Sequence, residues 1–366
     1  MPIPAHIPAH IRALAAYQPG KPISELAREM GLAEDEIIKL ASNENPLGAS
    51  PKALAAVRRC LGEIALYPDG NGFALKTALA RHLGVDIAQI VLGNGSNDVL
   101  ELAARLLLGP GRSAVYAQHA FAVYPLATQA CGARAIEVPA RDYGHDLEAM
   151  LQAIAPDTRL VFIANPNNPT GTLLAPDALY AFLRRVSPEV AVVLDEAYVE
   201  YIEPAQRSPS IEWLTEFSNL IVTRTFSKAY GLAGLRVGYA LANAELADLM
   251  NRLRQPFNVN CLALAAAEAA LDDAAFIAEA KRVNDAGLAQ LTEGFRRLGL
   301  DFIPSAGNFV CVRVGPAQAV FQALLRKGII LRPVANYGLP EHLRVSVGTE
   351  AQNARFLTAL AEVMKA

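Results

Sequence analysis

Seven short apolar runs lie between residues 89 and 241, and helix-length segments separate several of them. The runs are Gln89–Gly93, Ala114–Tyr116, Ala135–Val138, Leu160–Ala164, Val190–Leu194, Leu220–Arg224 and Val237–Leu241. Runs this short are strands, and continuous apolar content means burial on both faces. The segments Asp98–Leu108, Leu147–Ile154 and Pro176–Val186 carry helical spacing instead. Such alternation predicts an α/β chain with a large unit, its mostly parallel seven-stranded sheet flanked by helices. Open parallel sheets bind ligands beyond the carboxyl ends of their strands. The residues just after each apolar run are therefore where chemistry is to be sought.

After about Asn260 the texture changes. An Ala-rich helical stretch, Ala263 to Leu298, leads into an apolar run at Gly307–Val314 and a helix near Ala317–Lys327. A strand at His342–Val347 and a helix at Glu350–Met364 follow, which reads as a smaller α+β domain. The expected division is an N-terminal arm over 1–45, a large domain over 46–262 and a small one over 263–366. The arm is expected to pack with the small domain or against a partner subunit.

Composition narrows the function classes. The 366 residues carry a net charge of −3, and the pI is about 6.1, so nothing attracts nucleic acid or an anionic membrane electrostatically. Cys60, Cys131, Cys261 and Cys311 lie far outside metal-ligand or redox-motif spacing, which points to reduced thiols, no metal site and a cytoplasmic setting. The first ten residues hold three prolines and two histidines and lack the basic and apolar regions of a signal peptide. The uncharged stretch Ser113–Ala133 is interrupted by Gln118, His119, Pro125, Gln129 and Gly132, so it reads as strand, loop and helix rather than a membrane span. Small molecules are the expected partners.

Four polar motifs follow apolar runs. GNGSND (Gly93–Asp98) opens a helix, where free N–H groups suit a phosphate and Gly95 permits close approach; ordinary capping is the bland alternative. NPNNPTG (Asn165–Gly171) is a rigid turn, and Asn165, at the strand end, is placed to donate to a phenolate oxygen. VVLDEAY (Val192–Tyr198) ends its strand in Asp195, either a capping carboxylate or a partner for a protonated ring nitrogen, with Tyr198 three residues on. TRTFSK (Thr223–Lys228) brings Lys228, a solvated loop residue or an amine able to form a Schiff base, beside Thr225 and Ser227. Arg236, eight residues later, offers a fork for phosphate. Taken together, they supply a phosphate cradle, an amide, a carboxylate and a lysine, the set that pyridoxal 5′-phosphate (PLP) requires.

With these residues in place, the sequence resembles the fold-type-I PLP enzymes and, within them, the histidinol-phosphate aminotransferases. The resemblance runs from AYQPGKPISELAREMG, which contains Tyr17, to HLRVSVGTE, which contains Arg344. SNENPLG (Ser42–Gly48), YPDG (Tyr67–Gly70), TFSKAYGLAGLRVGY and ILRP (Ile330–Pro333) lie between. It implies that Lys228 carries PLP covalently and moves the substrate proton, and that Asp195 pairs with the ring nitrogen. Asn165 and Tyr198 would hold the phenolate oxygen, and Phe121 would stack on the ring. Gly95, Ser96, Asn97, Thr225, Ser227 and Arg236 would surround the phosphate. Tyr67 would reach the phosphate of a neighbouring subunit, making a homodimer with shared active sites. Arg344, which shares a strand face with Ser346 opposite the apolar residues, would clamp the substrate carboxylate. Tyr17, Asn43 and Arg332 would complete the substrate contacts. One departure is Leu66, where relatives often carry arginine before the YPD tyrosine.

The implied reaction is transamination between L-histidinol phosphate and 2-oxoglutarate, giving imidazole-acetol phosphate and L-glutamate, in histidine biosynthesis. An aromatic amino-acid aminotransferase shares the same fold and chemistry. A decarboxylase of an O-phospho amino acid and a non-catalytic ligand sensor are the remaining readings.

Overall fold

The structure, a computed structural model, describes residues 6–365; the first five residues of the arm, Pro2 and Pro4 among them, lie outside the described residues. In chain order the strands are β1 (Ile38–Lys39), β2 (Ile90–Gly93), β3 (Ser113–Ala117), β4 (Arg134–Val138), β5 (Thr158–Ala164), β6 (Ala191–Asp195), β7 (Leu220–Thr225) and β8 (Gly238–Ala242). The C-terminal third adds β9 (Phe302–Ile303), β10 (Phe309–Arg313), β11 (Ile329–Ile330), β12 (Arg332–Pro333) and β13 (His342–Ser346). Strands β2 to β8, the seven apolar runs, form one sheet in the order β2-β8-β7-β6-β5-β3-β4. Neighbours from β7 across to β4 are parallel, and only β8 runs against its neighbours β2 and β7.

That reversed strand matters for the site. The carboxyl ends of β2, β5, β6 and β7 share one edge of the sheet. Gly238 opens β8 and pairs with Gly93 at the end of β2 and with Thr225 at the end of β7. An antiparallel β8 therefore brings the residues that precede it, Arg236 included, to the edge where the other strands finish.

Successive side chains divide between two apolar layers. Val192 and Leu194 join one, with Trp213, Phe226 and Leu241; Ala191 and Val193 join the other, with Tyr124, Phe162 and Met250. Burial on both faces explains why these strands read as continuous apolar runs.

The Ala-rich stretch from Ala263 to Leu298, expected as one helical run opening the smaller unit, is two helices, Cys261–Leu271 and Ala274–Arg297. The side chain of Asn260 caps the first by accepting from Ala263 N. The break falls at two successive aspartates, poor helix formers, and Lys52 Nζ takes the Asp272 carbonyl at 2.6 Å. Ala263, Ala266, Ala267 and Ala270 pack in the large core, against the helices Pro51–Cys60 and Phe73–Leu83. This first helix thus packs as part of the large core.

Strands β12, β13, β10 and β9 make an antiparallel sheet in that order, covered by Leu291, Phe295, Phe356 and Leu360. The arm joins this unit: β1 pairs parallel with β11, and Leu26, Ala27, Ile37 and Ala41 pack on Leu325 and Ile330. Farther back, Ala9–Arg12 rests on the large unit, where Gln129 Nε2 donates to His10 O. Among the described residues no helix is long and apolar enough to cross a membrane.

Candidate active site

A cavity opens where the sheet's carboxyl edge faces the C-terminal unit. Tyr17, Asn43, Ser96, Asn97, Phe121, Asp195, Tyr198, Thr225, Ser227, Lys228, Arg236, Arg332 and Arg344 all line it. Residues from the arm, five strand ends and the second sheet converge there, although sequence separates them by up to 327 positions (344 − 17).

Lys228 follows β7, and its Nζ donates to Ser42 O at 3.1 Å and lies 5.8 Å from the Tyr198 ring centroid. Removal of the ammonium from water, reinforced by the positive charges of Arg344 and Arg236, pushes its pKa down to about 7. A large share of its amine is therefore neutral near neutrality, as attack on a carbonyl requires. The turn after it is held by Gly231, whose φ is +69°; a Cβ there would lie 1.9 Å from Gly48 O. The lysine loop is thus seated directly on Gly48, the last residue of the SNENPLG segment.

Asp195 ends β6, is buried, and makes no ion pair among the described residues. Its oxygens accept from Tyr124 Oη at 2.8 Å and Thr223 Oγ1 at 3.0 Å. Burial raises its pKa, and the two hydroxyl donors work against that rise. A buried carboxylate held only by neutral donors suits a cationic ring N–H.

The phosphate cradle lies at the start of the helix Ser96–Leu107, whose N-cap, Gly95, makes no side-chain cap bond. Gly95 has φ +79°, and a Cβ there would lie 2.3 Å from Arg236 Nη2. Gly95 does not line the cavity; it makes room for the guanidinium that does. Arg236 Nη1 also donates to Ser227 Oγ at 3.3 Å, and Ser227 N donates to Thr225 Oγ1 at 3.1 Å. Helix N–H groups, two hydroxyls and an arginine fork make a site for an anion. Phe121 lines the wall nearby and meets Tyr124 edge-on, with centroids 5.9 Å apart.

Two further predicted residues fall elsewhere. Asn165 does not line the cavity: Leu174 N donates to its Oδ1 at 2.8 Å and its Nδ2 reaches Leu174 O at 3.4 Å, so both ends of the amide are spent closing the turn. Asn168, three residues on, lines the cavity, and its Oδ1 accepts from Arg344 Nη1 at 2.6 Å. With the oxygen occupied, its Nδ2 is the end left to donate to a ligand. The motif has three asparagines; adjacency to the strand favoured Asn165, whereas Asn168 is the one that lines the cavity. Tyr67 also lies apart from the cavity, 83% exposed and stacked on Phe257 with centroids 4.6 Å apart.

The opposite wall is cationic. Arg332 on β12 and Arg344 on β13 are direct cross-strand neighbours, and both are buried. Arg344 Nη2 donates to Ala41 O, its guanidinium faces the Phe309 ring at 5.5 Å, and its buried Nε has no partner among the described residues. Arg332 Nη2 donates to Gln18 O at 2.8 Å. Two like charges opposed on one face repel in the absence of an anion. Tyr337, which sequence reasoning missed, also lines this end; only its place between the two arginine strands could have signalled it.

A family model described as aminotransferase class I and II matches residues 35–360. The chain belongs to that family. Two curated members are close over nearly the full length. Histidinol-phosphate aminotransferase 1 of Thiobacillus denitrificans is 63% identical, over 99% of this chain and 94% of that protein. Histidinol-phosphate aminotransferase 2 of Nitrosospira multiformis is 62% identical, over 97% of this chain and 91% of that protein. Among solved structures, the histidinol-phosphate aminotransferase of Sinorhizobium meliloti in complex with pyridoxal-5′-phosphate superposes with a TM-score of 0.90. That pair is 31% identical, and the match covers 99% of this chain and 98% of the other.

Proposed function

We propose that this chain is a PLP-dependent aminotransferase moving the amino group of L-histidinol phosphate to 2-oxoglutarate, in histidine biosynthesis. The observation that carries the substrate is the pair Arg332 and Arg344, directly opposed on the cavity wall facing Lys228. Histidinol phosphate presents a phosphate dianion near its amine, where an amino acid carries a carboxylate. Two arginines match a dianion, and either fork pairs with a carboxylate. The names of the relatives at 62–63% identity support the same assignment.

The residues present fit PLP: a lysine amine with depressed pKa, an unpaired buried carboxylate and an anion cradle line one cavity. When bound, PLP supplies an electron sink for the pair left at the substrate Cα after deprotonation. Asp195 would keep the ring nitrogen protonated. Phe121 would pack against the ring, and Tyr198 and Asn168 would donate to its phenolic oxygen. Ser96, Asn97, Thr225, Ser227 and Arg236 would hold the phosphate. Lys228 would bind the cofactor through its amine and, when that amine is free, would take the proton from the substrate Cα.

A second reading, an aromatic amino-acid aminotransferase, draws on Tyr17, Phe121 and Tyr337 in the lining. Steady-state kinetics with 2-oxoglutarate as acceptor separate the two. We expect kcat/KM for histidinol phosphate to exceed that for phenylalanine by at least about tenfold, one charge-assisted contact being worth that much. A preference for phenylalanine would reverse the assignment.

We further propose a closed homodimer in which Tyr67 enters the partner's site. Leu61, Ile64, Leu66, Tyr67 and Phe73 are all more than half exposed within thirteen residues, an apolar face suited to a second copy. The arm, which already spans both units, would bridge to the partner. Mixed dimers of Lys228→Ala and Tyr67→Ala subunits, each inactive alone, should regain activity through one intact site per dimer. A fully active Tyr67→Ala protein, or an active monomer, would refute the shared site. We place the enzyme in the cytoplasm, where its four free cysteines stay reduced.

A further inference from the structure

Tyr198 can serve the cofactor's phenolic oxygen only if its hydroxyl proton points into the cavity. Its oxygen accepts from Asn43 Nδ2 at 2.9 Å. Asn43 N donates to Ser346 Oγ at 2.8 Å, and Ser346 Oγ lies 2.9 Å from Asn43 Oδ1. The serine oxygen accepts the backbone N–H, and the serine hydroxyl donates to Oδ1. In this orientation the amide oxygen is taken and its NH2 faces Tyr198. Asn308 Nδ2 holds Asn43 O at 2.9 Å, and Asn43 itself sits at φ +55°, an uncommon conformation for a residue other than glycine. Ser346, Asn43, Tyr198 and Asn308 are all buried, so water has little access to substitute for a missing member.

We propose that Ser346 is a positioning residue for the reaction: acting through Asn43, it makes Tyr198 a donor toward the cavity. Ser346 is absent from the cavity lining and acts only through its neighbours. Without its hydroxyl, Asn43 Oδ1 loses its donor, and the amide can turn to offer oxygen to Tyr198. The tyrosine proton then goes to Asn43 and is lost to the ring oxygen. Arg344 lies two residues earlier on the same face of β13, so one strand delivers both the anion clamp and the setting of Tyr198.

The inference rests on the reading that Tyr198 donates to bound PLP, and the test separates the two. The PLP-loaded protein is titrated with pH while its visible absorbance is followed. The midpoint reports competition for a proton between the lysine-linked nitrogen and the phenolic oxygen. A donor to that oxygen lowers the midpoint, and losing the donor raises it. Tyr198→Phe sets the full upward shift. Ser346→Ala should move the midpoint in the same direction by about half a pH unit, as expected for one weakened neutral hydrogen bond. Ser346→Thr should restore the wild-type value. On a Tyr198→Phe background, Ser346→Ala should add nothing, because both changes act through one hydroxyl. A purely structural serine would lower thermal stability and leave the midpoint in place, or would shift it additively in the double variant; either result overturns the inference. If Tyr198→Phe itself leaves the midpoint unmoved, the reading of Tyr198 fails and the inference falls with it. If Tyr198→Phe moves the midpoint and Ser346→Ala does not, the inference alone fails.

Discussion

Lys228→Ala protein should still hold PLP through the phosphate cradle and Asp195, yet lose the absorbance of lysine-bound cofactor and about four orders of magnitude in kcat. The size follows from removing two functions at once, the attacking amine and the proton carrier between Cα and C4′. Among the described residues no other lysine lines the cavity, so no neighbour can take over. A pKa near 7 adds a pH signature. Lowered from the ordinary lysine value, it leaves the amine mostly neutral at pH 8, by about ten to one, and mostly protonated below pH 6. Uptake of PLP by the cofactor-free protein should therefore slow as pH falls through 7. An unshifted lysine would be slow throughout that range. The two measurements are absorbance during PLP addition across pH 6–9 and turnover of the variant. A variant that keeps both the band and full turnover would place the reactive amine elsewhere.

Much of this site was legible because open parallel sheets present ligands at strand ends, and each strand here is a short apolar run with a polar motif after it. Asp195, Thr225 and Lys228 were thus readable from position alone. Arg236 needed one step more: its strand is antiparallel, a fact the apolar run does not encode, and only that reversal brings it to the common edge. Asn165 sits at a strand end without lining the cavity. The motif places three asparagines within four positions, and which one faces the cavity depends on the turn, where Leu174 claims the first. The break at Asp272 was hidden for a related reason, since the Lys52 contact that stabilises it crosses 220 residues of sequence. Tyr337 carries no local signal at all. Its place follows from the pairing of β12 with β13, a long-range register that spacing does not reveal. The role proposed for Tyr67 depends on a second copy of the chain, which a single sequence does not display.

The two arginines should fail differently when removed. Arg344 is the more deeply tied: Asn168 Oδ1 and Ala41 O accept from two of its nitrogens, and its guanidinium sits over the Phe309 ring. A guanidinium fixed in this way has lost its freedom before substrate arrives, which suits it to clamp the carboxylate of glutamate. Arg332 is anchored at one nitrogen only, to Gln18 O on the arm, beside Tyr17. It can add a second positive charge for a dianion, and a monoanionic carboxylate needs it less. Losing a charge-assisted contact costs about 2–4 kcal/mol of transition-state stabilisation, roughly 30- to 1000-fold in kcat/KM. Arg344→Ala should fall most heavily on the glutamate half-reaction, and Arg332→Ala on histidinol phosphate. Lysine at 332 should recover part of the loss as a point charge, whereas lysine at 344 should not, since it cannot reproduce the fork held by Asn168 and Ala41. Single-turnover rates for each amine with the PLP-loaded variants measure the two half-reactions separately. Equal losses on both substrates in both variants would contradict the division of labour, and would mean that the pair acts as one cationic field whichever anion is bound.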